Sequence, residues 1–381
     1  LAQIALYHPW IYLMGGAEKT ILELVKRSKH TWTIYTNHFE PENTFPEFKN
    51  LNVIELTKIP VKRDFFNITK AFLVIVFQKV KFSGDLVLIS SEGFGDLMNF
   101  KVNKKKPIIC FCHTPLKVIY DSFSRKRYIK LNGKSAVYKL AIAGFFFKQI
   151  EKRAWKRYSR VICNSNEVKK RVLDAGLSSK EIVSIAHPGV DLKRYTNLNI
   201  TAGEYFLIPG RMMWTKNIEM GIEAYKISRA KEKHVKLIVA GVVDKKSEEY
   251  FRKLKALAQG DSMIKFVVSP NDETLLRLYQ DCMAVIFTPP NEDWGIVPVE
   301  AMAAGKPVIA VNNGGPKESI INNVTGYLTD NNKFAFSQAM NKVLANKNLN
   351  NMCLEARKNA QKYSWDRFVE KIDNKIDEVL G

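Results

Sequence analysis

Glu292 and Glu300 stand eight positions apart in the segment TPPNEDWGIVPVEAMAAG, residues 288–305. An apolar run ends at Pro289-Pro290, and Gly295 permits close backbone approach. Pro298 suits the first turn of a helix, with Glu300 following in that turn. One carboxylate therefore precedes the strand-to-helix turn and the other follows it. Both can face a crevice at the carboxyl end of a parallel strand, where open α/β sheets bind ligands. Carboxylates in such a crevice can grip the hydroxyls of a sugar or a ribose.

Four further constellations share that strand-end logic. Arg211 and Lys216 lie in PGRMMWTKN, where two cations beside a helix N-terminus suit a diphosphate. The paired glycines of GGAEK, Gly15 and Gly16, open a helix and let backbone N–H groups approach an anion. Gly314-Gly315-Pro316 repeats the pattern, and His113 ends an apolar run in FCHTP. Singly, each also has a plain structural reading: a tight glycine contact, a solvated cationic loop, a satisfied buried histidine. Cys163 and Met212-Met213 read as packing. The glutamate pair is more specific, because its context extends over 15 or more residues.

Competing motifs fail on inspection. Gly93-Phe94-Gly95 begins a dinucleotide fingerprint, but Met98 occupies the third glycine place. Gly133-Lys134-Ser135 resembles the end of a phosphate-binding loop, but Tyr128 replaces its earlier glycine. No Asp-x-Asp pair occurs, which argues against a metal-chelating carboxylate pair. The five cysteines make no C-x-x-C, and their odd number in a chain of 381 residues speaks for a reducing compartment. No basic n-region opens the chain, and the apolar runs 71–77 and 140–147 are far short of the ~20 residues of a spanning helix.

The elements that must carry these residues follow from hydrophobic patterning. Apolar runs at 3–8, 31–36, 52–56, 86–90, 107–113 and 160–165 read as strands, with helix-period stretches such as 17–27 and 167–175 between them. The pattern restarts with strands at 204–208, 235–240, 264–268, 283–288 and 307–311, and helices at 219–229, 272–280 and 298–304. Continuous apolar strands separated by helices predict parallel sheets covered on both faces. The expected organisation is α/β, with two doubly wound Rossmann-like domains: residues 1–196, and residues 197–362 beyond a polar seam at 191–203. Trp365, Phe368, Val369, Ile372 and Ile376 recur at helical spacing, so residues 363–381 form an amphipathic helix that must pack on a partner.

Charge separates the halves. Residues 1–197 hold 34 basic and 16 acidic side chains, a net +18, whereas residues 198–381 hold 25 and 22, a net +3. The stretch 124–160 has 12 basic residues against Glu151 alone, interleaved with Tyr128, Tyr138, Phe145, Phe146, Phe147 and Trp155. That mixture suits a helix lying at an anionic membrane surface; the plain alternative is an apolar core face with a solvated basic face. A nucleic-acid-binding module rests on charge alone, since no helix-turn-helix, zinc or ribonucleoprotein signature accompanies it.

In order and spacing, GGAEK, the His113 segment, R-x4-K-N and E-x7-E resemble family 4 retaining glycosyltransferases of the GT-B fold. The resemblance spans essentially the whole chain. The run 288–320 is similar to dolichol-linked oligosaccharide α-mannosyltransferases, and HTPLKVIYD to bacterial surface-polysaccharide mannosyltransferases. Trp294 stands where phenylalanine is usual. The resemblance implies two domains facing a cleft, with the C-terminal helix returning to the first. It implies a nucleotide-sugar donor, most simply GDP-mannose, a polyprenyl- or dolichyl-diphosphate glycan acceptor, and a peripheral site on the cytoplasmic face of a membrane. Within the class, the alternative is a UDP-sugar enzyme of capsule, lipopolysaccharide or glycolipid synthesis. Arg211 and Lys216 would hold the donor diphosphate without a metal or other cofactor, and Glu300 the ribose. Glu292 and the backbone of Gly295, Ile296 and Val297 would contact the sugar. Gly15 and Gly16 would approach the diphosphate from the other domain, and His113 would meet the sugar near its anomeric centre.

Overall fold

The computed structural model describes every residue except Arg63, Lys134 and Lys245, so the partial phosphate-loop match at 133–135 includes one residue, Lys134, outside the described residues. Two compact units emerge: Leu1–Pro188 with Trp365–Gly381, and Gly189–Ser364.

The first unit is built on strands β1 (Gln3–Tyr7), β2 (Thr31–Thr36), β3 (Val53–Glu55), β4 (Leu86–Ser91), β5 (Ile108–Cys112), β6 (Arg160–Cys163) and β7 (Val183–Ile185). Their order across the sheet is β3-β2-β1-β4-β5-β6-β7, and each pairing is parallel. The second carries β8 (Tyr205–Pro209), β9 (Lys236–Gly241), β10 (Ile264–Val268), β11 (Cys282–Phe287), β12 (Val308–Val311) and β13 (Gly326–Thr329). These run β10-β9-β8-β11-β12-β13, again parallel throughout. Both units are therefore doubly wound, Rossmann-like sheets. In each, the chain winds outward in one direction and then returns to continue in the other. The switch points lie between β1 and β4 and between β8 and β11.

Burial explains the continuous apolar runs. Every residue of β4 and of β5 is buried. Alternate side chains enter opposite layers: Ala5 and Tyr7 with Cys110 and Cys112 on one face, Ile4 and Leu6 with Ile109 and Phe111 on the other. The second layer is completed by the C-terminal helix Trp365–Leu380, whose Trp365, Phe368, Val369, Ile372 and Ile376 join Ile4, Leu6, Leu22 and Ile162. Each fully buried side chain of this size contributes about 1.5–3 kcal/mol. Polar contacts set its register: Arg27 pairs with Asp366 at 2.8 Å, Ser28 Oγ donates to Asp373 at 2.6 Å, and Arg160 pairs with Glu378 at 2.8 Å. All five cysteines are buried and unbridged.

Two strands have no counterpart in the sequence reading, β7 and β13. Both are short edge strands with few fully buried residues, so their apolar signal is weak. No described helix is long and apolar enough to cross a membrane.

Candidate active site

In the second unit the predicted residues gather at the carboxyl ends of β8 and β11, on either side of the switch point. After β8 the backbone turns at Gly210, φ 128°, beside Gly241; a Cβ on Gly241 would lie 1.7 Å from the Gly210 carbonyl oxygen. A tight turn, Trp214–Lys216, follows, and Asn217 closes it in the left-handed region at φ 50° before the helix Ile218–Lys226. Thr288 Oγ1, just past β11, donates to the Lys216 carbonyl at 2.7 Å and ties the two strand ends together.

This scaffold aims Lys216 at Glu292. Lys216 Nζ lies 3.0 Å from Glu292 Oε2, both side chains are half-buried, and the ammonium sits 5.9 Å from the Phe287 ring centroid. Arg211 is half-buried, and its guanidinium makes no ion pair or hydrogen bond among the described residues. Arg211 and Lys216 thus bring two cations to the end of β8, and of the two only Lys216 is ion-paired among the described residues, as suits an anion site.

The helix after the loop runs Ile296–Ala303, capped by Gly295 at φ 86°. It begins two residues before the expected start at Pro298. Glu300 therefore falls in the second turn, two residues deeper than the sequence suggests. The backbone N–H groups of Ile296 and Val297 lie in the first turn, where no intrahelical carbonyl meets them. Glu300 Oε2 accepts from Tyr279 Oη at 2.9 Å. Burial, with the neighbouring Glu300 charge, holds the Tyr279 phenol well above its ordinary pKa, so it remains a donor.

Gly314 and Gly315 make room for a neighbouring backbone. A Cβ on either would fall 2.3 Å from a backbone oxygen, that of Glu292 or of Trp294, and Gly315 N donates to the Glu292 carbonyl at 3.0 Å. The pair allows the Glu292–Trp294 loop to lie flat against the next turn. Trp294 itself is buried, 5.2 Å from the Tyr363 ring.

In the first unit, Gly15 and Gly16 follow β1, and the helix Gly16–Arg27 starts there. Gly15 is buried and Gly16 exposed. A Cβ on Gly15 would strike Glu18 Oε2 at 2.4 Å, whereas Gly16 has open space around it. His113, buried just past β5, is hydrogen-bonded through Nε2 to Ser90 Oγ at 2.8 Å. Burial lowers its pKa, opposed by the charge of Glu92, and so favours the neutral imidazole. Among the described residues no three His, Cys, Asp or Glu side chains come together as a metal-ligand set.

The roles of Tyr279, Thr288, Gly210, Gly241 and Ser90 escaped the sequence reading, although Thr288 and Gly210 lie inside its quoted segments. Each acts through a neighbour distant in sequence; only the Gly210 turn, directly before Arg211, leaves a local trace.

Residues 14–194 match the family model described as Glycosyltransferase Family 4, and residues 194–363 the model described as Glycosyl transferases group 1. The chain belongs to the family 4 glycosyltransferases. This glycosyltransferase is 24% identical over 430 residues to the alpha-1,3/1,6-mannosyltransferase ALG2 of Dictyostelium discoideum, covering 99% of this chain and 98% of that protein. It is 26% identical to the human protein of the same name, covering 96% of this chain and 94% of the relative. Among solved structures it resembles HepE of Anabaena in complex with UDP-glucose, with a TM-score of 0.72 at 18% identity, covering 99% and 100% of the two chains. It also resembles the sucrose-phosphate synthase of Thermosynechococcus elongatus, with a TM-score of 0.74 at 18% identity over 99% of each chain. Those likenesses identify the fold of this glycosyltransferase as GT-B.

Proposed function

We propose that this glycosyltransferase is a retaining α-mannosyltransferase that moves mannose from GDP-mannose to a lipid-linked glycan, a polyprenyl or dolichyl diphosphate. The observation that carries the donor half is Arg211, without an ion pair among the described residues, beside the Lys216–Glu292 pair at a strand-end switch point. The relatives named as mannosyltransferases over nearly the whole chain support the sugar.

The chemistry follows from the charges. An arriving diphosphate brings more negative charge than Glu292 and competes for Lys216. Lys216 and Arg211 then hold the phosphates, and Glu292 is released to accept hydrogen bonds from the sugar hydroxyls. Negative charge grows on the departing GDP as the glycosidic bond breaks, and these cations meet it where it develops. No metal is needed for that step. The leaving phosphate takes the acceptor proton, so the new bond forms on the face the old one leaves. Glu300, oriented by the Tyr279 hydroxyl, binds the ribose hydroxyls. The N–H groups of Ile296 and Val297, presented by the turn at Gly295, contact the sugar. Gly15 and Gly16 admit the diphosphate to the backbone, and His113 meets the sugar near its anomeric carbon.

A lipid-linked acceptor brings the protein to a bilayer, and the net +18 of residues 1–197 suits an anionic cytoplasmic face. The test is transfer of labelled mannose from GDP-mannose to a polyprenyl-diphosphate glycan. Wild type is expected to transfer, and Lys216→Ala to lose at least about 100-fold in kcat/KM. Equal rates for Lys216→Ala and wild type would remove the diphosphate assignment, and transfer from UDP-glucose alone would remove mannose.

A further inference from the structure

His113 is one end of a hydrogen-bonded chain that crosses the first sheet's switch point. His8 follows β1, Ser90 is the second-last residue of β4, and His113 follows β5, so three neighbouring strands each contribute one side chain at their carboxyl ends. Ser90 Oγ lies 3.0 Å from His8 Nδ1 and 2.8 Å from His113 Nε2. The two rings are edge-on, 6.0 Å apart, and all three residues are buried. Strand pairing holds them: Tyr7 is in register with Ile89, and Ser90 with Phe111. The His113 backbone is fixed as well, its N–H donating to Ser91 and its carbonyl accepting from Asn164 Nδ2, each at 3.0 Å. The Nδ1 of His113 makes no hydrogen bond among the described residues.

One hydroxyl carries one proton, and Ser90 Oγ has no other acceptor in reach among the described residues, so it donates to one of its two imidazoles and accepts from the other. The tautomers of His8 and His113 are therefore locked together. We propose that His8 and Ser90 are positioning residues that fix the proton of His113 on Nε2. Ser90 donates to His8 Nδ1 and accepts from His113 Nε2–H, which leaves a lone pair on His113 Nδ1. A lone pair, and not an N–H, is what positive charge developing at an anomeric carbon favours. The inference rests on the reading of the chain as a glycosyltransferase in which His113 contacts the transferred sugar.

The test compares kcat and donor KM for mannose transfer by His113→Ala, Ser90→Ala, His8→Asn and His8→Gln, with Tm as the folding control. Asparagine places its amide where Nδ1 stands and still accepts from Ser90; glutamine is equally polar but reaches to the place of Nε2. Ser90→Ala and His8→Gln are expected to lose roughly 10- to 100-fold in kcat, with donor KM within about twofold of wild type. His8→Asn is expected to stay within about threefold of wild type. A purely structural role for His8 and Ser90 would lower Tm without separating Asn from Gln, and that result overturns the inference. So does wild-type kcat in Ser90→Ala when His113→Ala is inactive. Wild-type kcat in His113→Ala would instead overturn the reading of His113, a distinguishable failure.

Discussion

Lys216 and Glu292 are 76 positions apart in the chain and 3.0 Å apart in space, yet each announced itself locally. The glutamate was legible because glycine, proline and a second carboxylate surround it at strand-to-helix spacing. Tyr279 was not: it lies in an ordinary amphipathic helix, and only the fold turns its hydroxyl toward Glu300. The Gly314-Gly315 packing was hidden for a related reason, since two glycines look the same whether they admit a phosphate or a neighbouring backbone. Buried acids were equally silent. Glu151, the one acid in the basic stretch 124–160, is fully buried, its Oε2 accepting from Tyr120 Oη at 2.5 Å. Burial, and then the charge of the nearby buried Asp96, raises its pKa well above the ordinary 4.5. A raised native pKa means that the folded state holds the proton more tightly than the unfolded chain. The stability this lends is full below the ordinary value and is lost as pH rises through the elevated one. Glu151→Gln keeps the acceptor for Tyr120 and has no proton to lose. Its Tm is expected to fall less than that of wild type between pH 5 and pH 9. At pH 9 the gain should reach at least about 1 kcal/mol, or roughly 2–4 °C. Parallel Tm curves for the two proteins would contradict the buried-acid account.

Strands with both faces buried left unbroken apolar runs, so β1, β2, β4, β5, β8 and β11 were readable to within a residue or two. The edge strands β7 and β13 have little burial to imprint a pattern, and the helix Phe65–Phe77 was visible only as its apolar second half. The helix Ser135–Trp155 is the informative case. Its Phe147, Ala154 and Trp155 are buried, which is the core reading, but Tyr138, Phe145 and Phe146 are 74%, 60% and 62% exposed. Of the run 140–147 only Gly144 and Phe147 are buried, so one face of the helix joins the core and another leaves its aromatic rings exposed. Exposed aromatics flanked by Lys148, Lys152 and Arg153 suit an interfacial helix on anionic lipid. Sedimentation with anionic and neutral vesicles checks this. Phe145→Ser with Phe146→Ser should lower binding to anionic vesicles at least about tenfold, equivalent to about 1.4 kcal/mol, and leave Tm unchanged because neither ring is in the core. Unchanged binding, or equal binding to both lipids, would remove the helix from the membrane account.

Across the chain, two α/β units were legible from the restart of the strand–helix pattern, and the return of the C-terminal helix was foreshadowed by its full apolar face. Positive charge concentrates in the half that also carries the exposed aromatics, while the half with the Arg211–Lys216–Glu292 cluster is nearly neutral. The division suggests that surface attachment and donor binding depend on different residues and can be tested apart. The most direct measurement is thermal shift against GDP, GDP-mannose, UDP and UDP-glucose, with and without EDTA, on wild type and Lys216→Ala. A ligand that binds the folded state stabilises it by about 2.7 kcal/mol at 100 times its Kd. The account predicts that GDP and GDP-mannose raise the wild-type Tm, that EDTA leaves the shift intact, and that Lys216→Ala abolishes most of it. No shift with any nucleotide, or a shift that survives in Lys216→Ala, would contradict the donor site.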